Sequence, residues 1–332
     1  MQQVKLIVSL LMTTLLFSCA STSDNNSEER PSWIDNAKIT YPDNTYLTAV
    51  GESSNRTRAG KNAVANLVEI FSVDVQSETK VLTEATKKES ALGVSSESST
   101  NLQRDIQTKT DQAIQGIEIK ETWLSPEGDY YALAVLGKRS ASQNLTEGIL
   151  EMDEQSQNFI KYSNNTAPNS ILAINALRSA RDLQITRKMS DLQLKYISGA
   201  GIPNDTSTYD IENLITHKLA ALSFSVEGDN KRETKLLESA VSKLGVQVVE
   251  ESPLQLSAYL DMGEASYINN WYWLRGSYEL TLSENGQVIS RKRWPLKVSA
   301  KEEALLEPRL QDKLNENVIE YLQLLVSDSP TL

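Results

Sequence analysis

Residues 271–298 read WYWLRGSYELTLSENGQVISRKRWPLKV, and they decide the architecture of the C-terminal half. Trp271 to Leu282 and Val288 to Val298 are rich in aromatic and branched residues and lie on either side of Asn285-Gly286. That dipeptide is the strongest short-range signal for a β-hairpin. The stretch therefore predicts two antiparallel strands with one face in a core.

Neighbouring segments extend this sheet and cover it. Leu254 to Leu260 alternates apolar and polar residues, as a half-buried strand does. Helical periodicity predicts helices at Ile211–Leu222, Lys231–Leu244 and Glu302–Leu325. The apolar face of the last helix comprises Leu305, Leu306, Leu310, Leu314, Val318, Leu322 and Leu325. We therefore expect one α+β domain over residues 204–332.

A second α+β domain is expected over residues 31–140. Tyr46–Gly51 predicts a strand, and a helix follows over Arg56–Phe71. The predicted buried stripe of this helix is Ala59, Ala63, Leu67 and Ile70. Ile117–Leu124 and Tyr130–Leu136 flank a turn and predict a hairpin.

The predicted fold class is α+β, with two small sheet-plus-helix domains joined by a helical hairpin. The hairpin occupies residues 141–203 and ends in the linker residues 199–205. Residues 77–110 are polar and rich in Ser, Thr, Glu and Lys. This polar arm is either a partner-contacting extension, whose strand edges could pair with a neighbour, or a flexible insertion.

The amino terminus predicts export and lipidation. Residues 1–18 combine a charged start with the apolar run Leu6–Phe17, which is typical of a signal peptide. Leu16, Ser18 and Cys19 match the bacterial lipobox, whereas Phe17 is bulkier than usual. Residues 19–30 are polar and predict a disordered tether. We therefore expect acyl chains, palmitate among them, on Cys19.

Composition excludes several classes of function. The formal net charge of −11 disfavours nucleic-acid binding and electrostatic adhesion to anionic headgroups, so any membrane attachment is expected to be covalent. One cysteine and one histidine provide no zinc-type ligand set, and neither a metal nor a cofactor is predicted.

Several short motifs, taken together and in order, resemble the LPP-twenty lipoprotein family. They are Pro31-Ser32-Trp33, Tyr41-Pro42-Asp43, Tyr46 to Gly51, Gly116 to Trp123 and Tyr130 to Ala134. The resemblance covers roughly residues 31 to 140 and the lipobox. It implies an outer-membrane lipoprotein without known catalytic residues, and some relatives belong to structures around the flagellar motor. The residue after the lipobox cysteine is Ala20 and not an aspartate, which under the usual bacterial sorting rule is typical of an outer-membrane lipoprotein.

Residues that could carry chemistry lack suitable partners in the sequence. His217 lies on a predicted helix surface without an evident nucleophile or acid. The acidic pairs Glu250-Glu251 and Glu302-Glu303 consist of adjacent residues, which point in different directions and are usually solvated. We therefore predict that the protein is not an enzyme.

The C-terminal hairpin supplies a candidate interaction surface, consisting of Trp271, Trp273, Trp294, Arg291 and Arg293. Core and cross-strand packing is the competing interpretation of the aromatic residues. The leading hypothesis is a structural or assembly component of the outer membrane, facing the periplasm, in a flagellar or secretion-associated complex for example. It would associate with envelope proteins or with itself. The alternative is a periplasmic module that binds a glycan, a lipid or a protein.

Overall fold

The computed structural model describes residues 29–70, 92, 116–328 and 330. The predicted signal peptide, Cys19, most of the tether and the polar arm 77–110 lie outside these residues. The α+β class is confirmed, since the described chain contains two sheets and several helices that pack on them.

The N-terminal sheet is built from three antiparallel strands in the order β1-β3-β2. The strands are β1 (Tyr46–Ser53), β2 (Glu118–Leu124) and β3 (Tyr130–Gly137), and the helices that pack on them are the short α1 (Ser32–Asp35) and α2 (residues 56–70). Ala59, Ala63 and Leu67 of α2 pack on the alanines of β3. The other face buries Trp33 and Trp123. The predicted buried stripe of α2 wrongly includes Ile70, which is 40% exposed.

Helix α2 also covers the free edge of β1. The side-chain amides of Asn62 and Asn66 donate hydrogen bonds to the carbonyls of Glu52 and Val50, at 2.9 and 2.8 Å. A strand edge whose carbonyls are already bonded is a poor template for another strand. The helix therefore closes this edge.

Two long helices follow the N-terminal sheet. Helix α3 is Lys138–Asn165 and helix α4 is Ser170–Ser198. Asn169 caps α4 by accepting from the Leu172 amide, and Gly199 ends it with a φ of 81°. Leu194 and Ile197 join the N-terminal core, whereas Ile174 and Leu177 join the C-terminal core. The helix pair thus contributes to both cores.

The C-terminal sheet has the strand order β5-β4-β6-β8-β7, with β9 on the other edge of β8. The elements are α5 (Thr208–Ala220), β4 (Ser223–Glu227), α6 (Lys231–Lys243), β5 (Gln247–Val248), β6 (Leu254–Met262), β7 (Ser266–Ile268), β8 (Trp271–Glu284), β9 (Gln287–Ala300) and α7 (Leu306–Leu325). Strand β4 is parallel to β5 and β6, and the other pairs are antiparallel.

The inner face of this sheet forms the larger core beneath α6 and α7. Tyr278, Leu280 and Leu282 of β8 are almost completely buried there. The apolar face predicted for the last helix wrongly includes Leu305, which precedes α7 in a short 3₁₀ turn and is 43% exposed. In the part of the chain that the structure describes, none of the helices has both the length and the apolar character of a membrane span.

Candidate interaction surface

The outer face of the C-terminal sheet is open to solvent. Side chains alternate along a strand, so Trp271, Trp273, Arg275 and Glu279 of β8 point away from the core that holds Tyr278. None of the residues that β8 and β9 place on this side is buried. We call this side the outer face.

One end of the outer face combines tryptophans with cations. The Lys297 ammonium lies 4.3 Å from the centre of the Trp273 ring, and the Arg275 guanidinium carbon lies 5.9 Å from it. The Lys301 ammonium lies 5.4 Å from the centre of the Trp271 ring. The Trp273 indole N–H donates to the Ile268 carbonyl at 3.4 Å, which fixes its ring against β7. We call these five side chains (Trp271, Trp273, Arg275, Lys297 and Lys301) the tryptophan–cation cluster.

The predicted arginines lie on the same face, farther along the strands, where carboxylates neutralise them. Arg291 lies 3.6 Å from a Glu279 carboxylate oxygen, and Arg293 forms an ion pair with Asp261. Both guanidinium groups are more than half exposed, so these pairs contribute about 0–1 kcal/mol each to stability. Their charge is largely cancelled locally.

Trp294 is the predicted surface residue that the structure places elsewhere. It lies on the inner face opposite Tyr278 and stacks on Tyr321 of α7, with 4.3 Å between the ring centres and 15° between the planes. The cause is a register shift between Leu282 and Ser283. One extra residue in a strand moves every later side chain to the opposite face.

Sequence reasoning also missed three cations. An unbroken register from the Asn285-Gly286 turn would place Leu296 opposite Arg275, whereas the shifted register places Lys297 there. Arg275 could have been found by alternation, since it lies two residues beyond Trp273. Lys297 and Lys301 could not be assigned to this face without the position of the shift.

Beneath the sheet, helix α6 buries a carboxyl group that is only partly hydrogen-bonded. Glu233 of α6 is fully buried: one carboxylate oxygen accepts from the Asp229 amide at 3.1 Å, and Oε1 has no hydrogen-bond partner among the described residues. Burial, followed by the charge of Asp229, raises the pKa of Glu233. Burial also raises the pKa of Tyr278, whose hydroxyl has no partner among the described residues either.

Glu233→Gln is expected to stabilise the fold at neutral pH, by about 1 kcal/mol or more, because it removes a buried charge. A carboxyl whose pKa is raised in the folded state favours folding most at low pH, and this contribution is lost as the pH rises through the folded pKa. In urea unfolding, the advantage of the variant should therefore grow as the pH rises above about 4, the ordinary range of a glutamate pKa. Glu238→Gln, on the exposed side of α6, is the control and should show no such growth. If the difference in unfolding free energy between Glu233→Gln and wild type did not change with pH, the raised pKa of Glu233 would be contradicted.

The residues that the sequence offered as candidates for chemistry lie at the surface. His217 is exposed on α5, and the pairs Glu250-Glu251 and Glu302-Glu303 are exposed as well. Within residues 29–70, 92, 116–328 and 330, no group of three or more His, Cys, Asp or Glu side chains could hold a metal ion.

A groove of about 690 Å³ lies between α2 and β2. Its lining is Arg56, Thr57, Gly60, Lys61, Val64, Ile119, Lys120, Glu121 and Thr122.

The family resemblance is confirmed for the N-terminal part of the chain. Residues 31–137 match the family model described as LPP20 lipoprotein. These residues include α1, α2 and the whole N-terminal sheet. No curated protein matches the chain.

Solved structures show low similarity to the chain. The secreted protein HP1454 from Helicobacter pylori is 15% identical, and the match covers 85% of this chain and 97% of that chain with a TM-score of 0.46. A minor lipoprotein from Acinetobacter baumannii is 15% identical. The match covers 32% of this chain and 90% of that chain, with a TM-score of 0.27. Rare lipoprotein B from Shewanella oneidensis is 13% identical. The match covers 32% of this chain and 91% of that chain, with a TM-score of 0.22.

Proposed function

Because residues 31–137 match the LPP20 lipoprotein family, we propose that the chain is a lipid-anchored lipoprotein of the outer membrane, facing the periplasm. Its proposed role is structural or assembly-related and non-catalytic. The observation that carries the proposal is position: the family match begins just after the lipobox cysteine Cys19 and the polar residues 20–30. A lipid on Cys19 would hold a folded body at a bilayer through a short tether.

The open outer face supports a role in contact with other molecules. None of the residues that β8 and β9 place on this face is buried, whereas the inner face of the same sheet contributes most of its residues to the core beneath the helices. Residues that are solvated, aromatic and charged are typical of surfaces that bind partners. The second candidate, a periplasmic binding module, rests on the same face.

Crosslinking in whole cells tests the assembly role. Wild-type protein should capture a reproducible set of envelope proteins, and Cys19→Ala should lose them because the unanchored body leaves the membrane surface. Flagellar or secretion-complex components in this set would specify the assembly. Capture of a soluble ligand by a monomeric protein, equally in both forms, would favour the binding module and contradict the assembly role.

A further inference from the structure

The three cations of the tryptophan–cation cluster differ from the other basic residues of the outer face. Arg275, Lys297 and Lys301 have no carboxylate within 4 Å among the described residues, whereas Arg291 and Arg293 are paired with Glu279 and Asp261. Their charge is therefore available to an external anion. The net charge of −11 hides this cluster, because it averages over the whole chain.

Apolar side chains extend from the same end of the sheet. Ile268 of β7 pairs with Trp271 on the outer face and is 47% exposed, whereas its neighbour Tyr267 pairs with Tyr272 and points to the other side of the sheet. The turn that follows, Asn269-Asn270, has positive φ at both residues and brings the chain tightly back into β8. This end of the sheet thus presents aromatic and aliphatic groups beside unpaired cations.

The edge of the sheet is less suited to binding than its face. Lys313 and Arg309 of α7 donate hydrogen bonds to the β9 carbonyls of Lys297 and Ser299. Pro295 within β9 lacks an N–H donor altogether. Strand addition by a protein partner is disfavoured along this edge.

We propose that the tryptophan–cation cluster docks on a bilayer surface that contains anionic phospholipids. Lysine and arginine would bind headgroup phosphates, and tryptophans take up the level of the headgroups because their rings are amphipathic. Trp273 already has two cations at its ring, which leaves less ring surface for a stacked sugar. Phosphate is therefore a better match than a neutral glycan.

This inference rests on the proposed lipid anchor, because the cluster alone is too small to hold an acidic protein at an anionic surface. The tether 19–30 reaches at most about 40 Å when fully extended. The anchor thus confines the body near the bilayer, and a weak contact becomes effective at the resulting high local concentration. Docking sets the orientation of the body on the membrane.

The test uses the chain from Cys19 onward, which retains every described residue. Cys19 is the single cysteine, so its thiol can be coupled to a maleimide lipid in vesicles whether or not cells acylate it. Failure of the inference is thereby distinguishable from failure of the proposed function. The vesicles contain either phosphatidylcholine alone or about one-third phosphatidylglycerol, with brominated acyl chains as quenchers of tryptophan fluorescence.

We expect stronger quenching in the anionic vesicles, reversed by high salt. Arg275→Gln/Lys297→Gln should lower the ratio of docked to undocked protein by about twenty-five-fold, at about five-fold per cation. Arg291→Gln/Arg293→Gln changes the charge of the same face equally and should change this ratio far less. Equal quenching in both vesicle types, absence of quenching, or equal loss in both double variants would each overturn the proposal.

Discussion

Replacing Gly51 by alanine is expected to lower the free energy of unfolding by about 3 kcal/mol or more. Gly51 lies in β1 where α2 crosses it, and a Cβ at this position would lie 2.1 Å from the Ala63 nitrogen and 2.5 Å from the Ala59 carbonyl oxygen. Both atoms are backbone atoms of a helix, so they cannot move without shifting α2 off the sheet. Ala59 and Ala63 are fully buried, which leaves no room for that shift.

Urea unfolding followed by tryptophan fluorescence measures this effect. Trp33 and Trp123 are buried on the other face of the same sheet and report on its unfolding. Gly148→Ala is the matched control, since nothing lies within 4 Å of a Cβ at that helical position. It should be neutral or stabilise by up to about 1 kcal/mol. Equal stability of Gly51→Ala and wild type would show that α2 does not contact β1 as described.

Replacing Arg187 by methionine is expected to destabilise the protein by about 3–5 kcal/mol. The Arg187 side chain is 3% exposed and lies within 3.3 Å of the Asp153 carboxylate. It also donates to the carbonyls of Ile202 and Pro203, at 3.0 and 2.9 Å. These bonds hold the segment after α4 against the helix pair. Methionine would fill the space but leave the carbonyls and the carboxylate without this partner.

Denaturant unfolding followed by circular dichroism measures this loss, and Arg232→Met is its control. Arg232 pairs with Glu307 at the surface, where both side chains are at least 60% exposed. Its replacement should cost less than about 1 kcal/mol. If the two variants lost the same stability, the buried network around Arg187 would contribute no more than a surface pair.

Local patterns predicted the elements of the C-terminal sheet well. The Asn285-Gly286 turn is present with positive φ at both residues, as a two-residue hairpin requires. Alternation identified Leu254, Leu256 and Ala258 as one buried row of β6. Such signals depend only on neighbours in sequence, so the sequence contains them in full.

The composition of the candidate surface could not be predicted in the same way. A one-residue shift between Leu282 and Ser283 moves Trp294 into the core and Lys297 onto the outer face. In the shifted register, Trp294 lies beneath α7 and stacks on Tyr321, a residue distant in the sequence. Contacts between distant segments decide such a shift, and so they decide which side chains share a face.

The buried polar network was equally hidden. Arg187 and Asp153 are separated by more than thirty residues and come together only because α3 and α4 pack side by side. In the sequence, Arg187 has the pattern of a surface residue on a long helix. Net charge misleads for a related reason, since it does not show that the tryptophan–cation cluster has no carboxylate partner in the part of the chain that the structure describes.

Mass spectrometry of the amino-terminal peptide from the membrane-extracted protein tests the central proposal most directly. We predict a peptide that begins at Cys19 and carries the mass of several fatty acyl groups. A Cys19→Ser form should lack this peptide and leave the membrane fraction. An intact, unacylated cysteine in the membrane-bound wild type, or full membrane retention of the serine form, would contradict the lipid anchor.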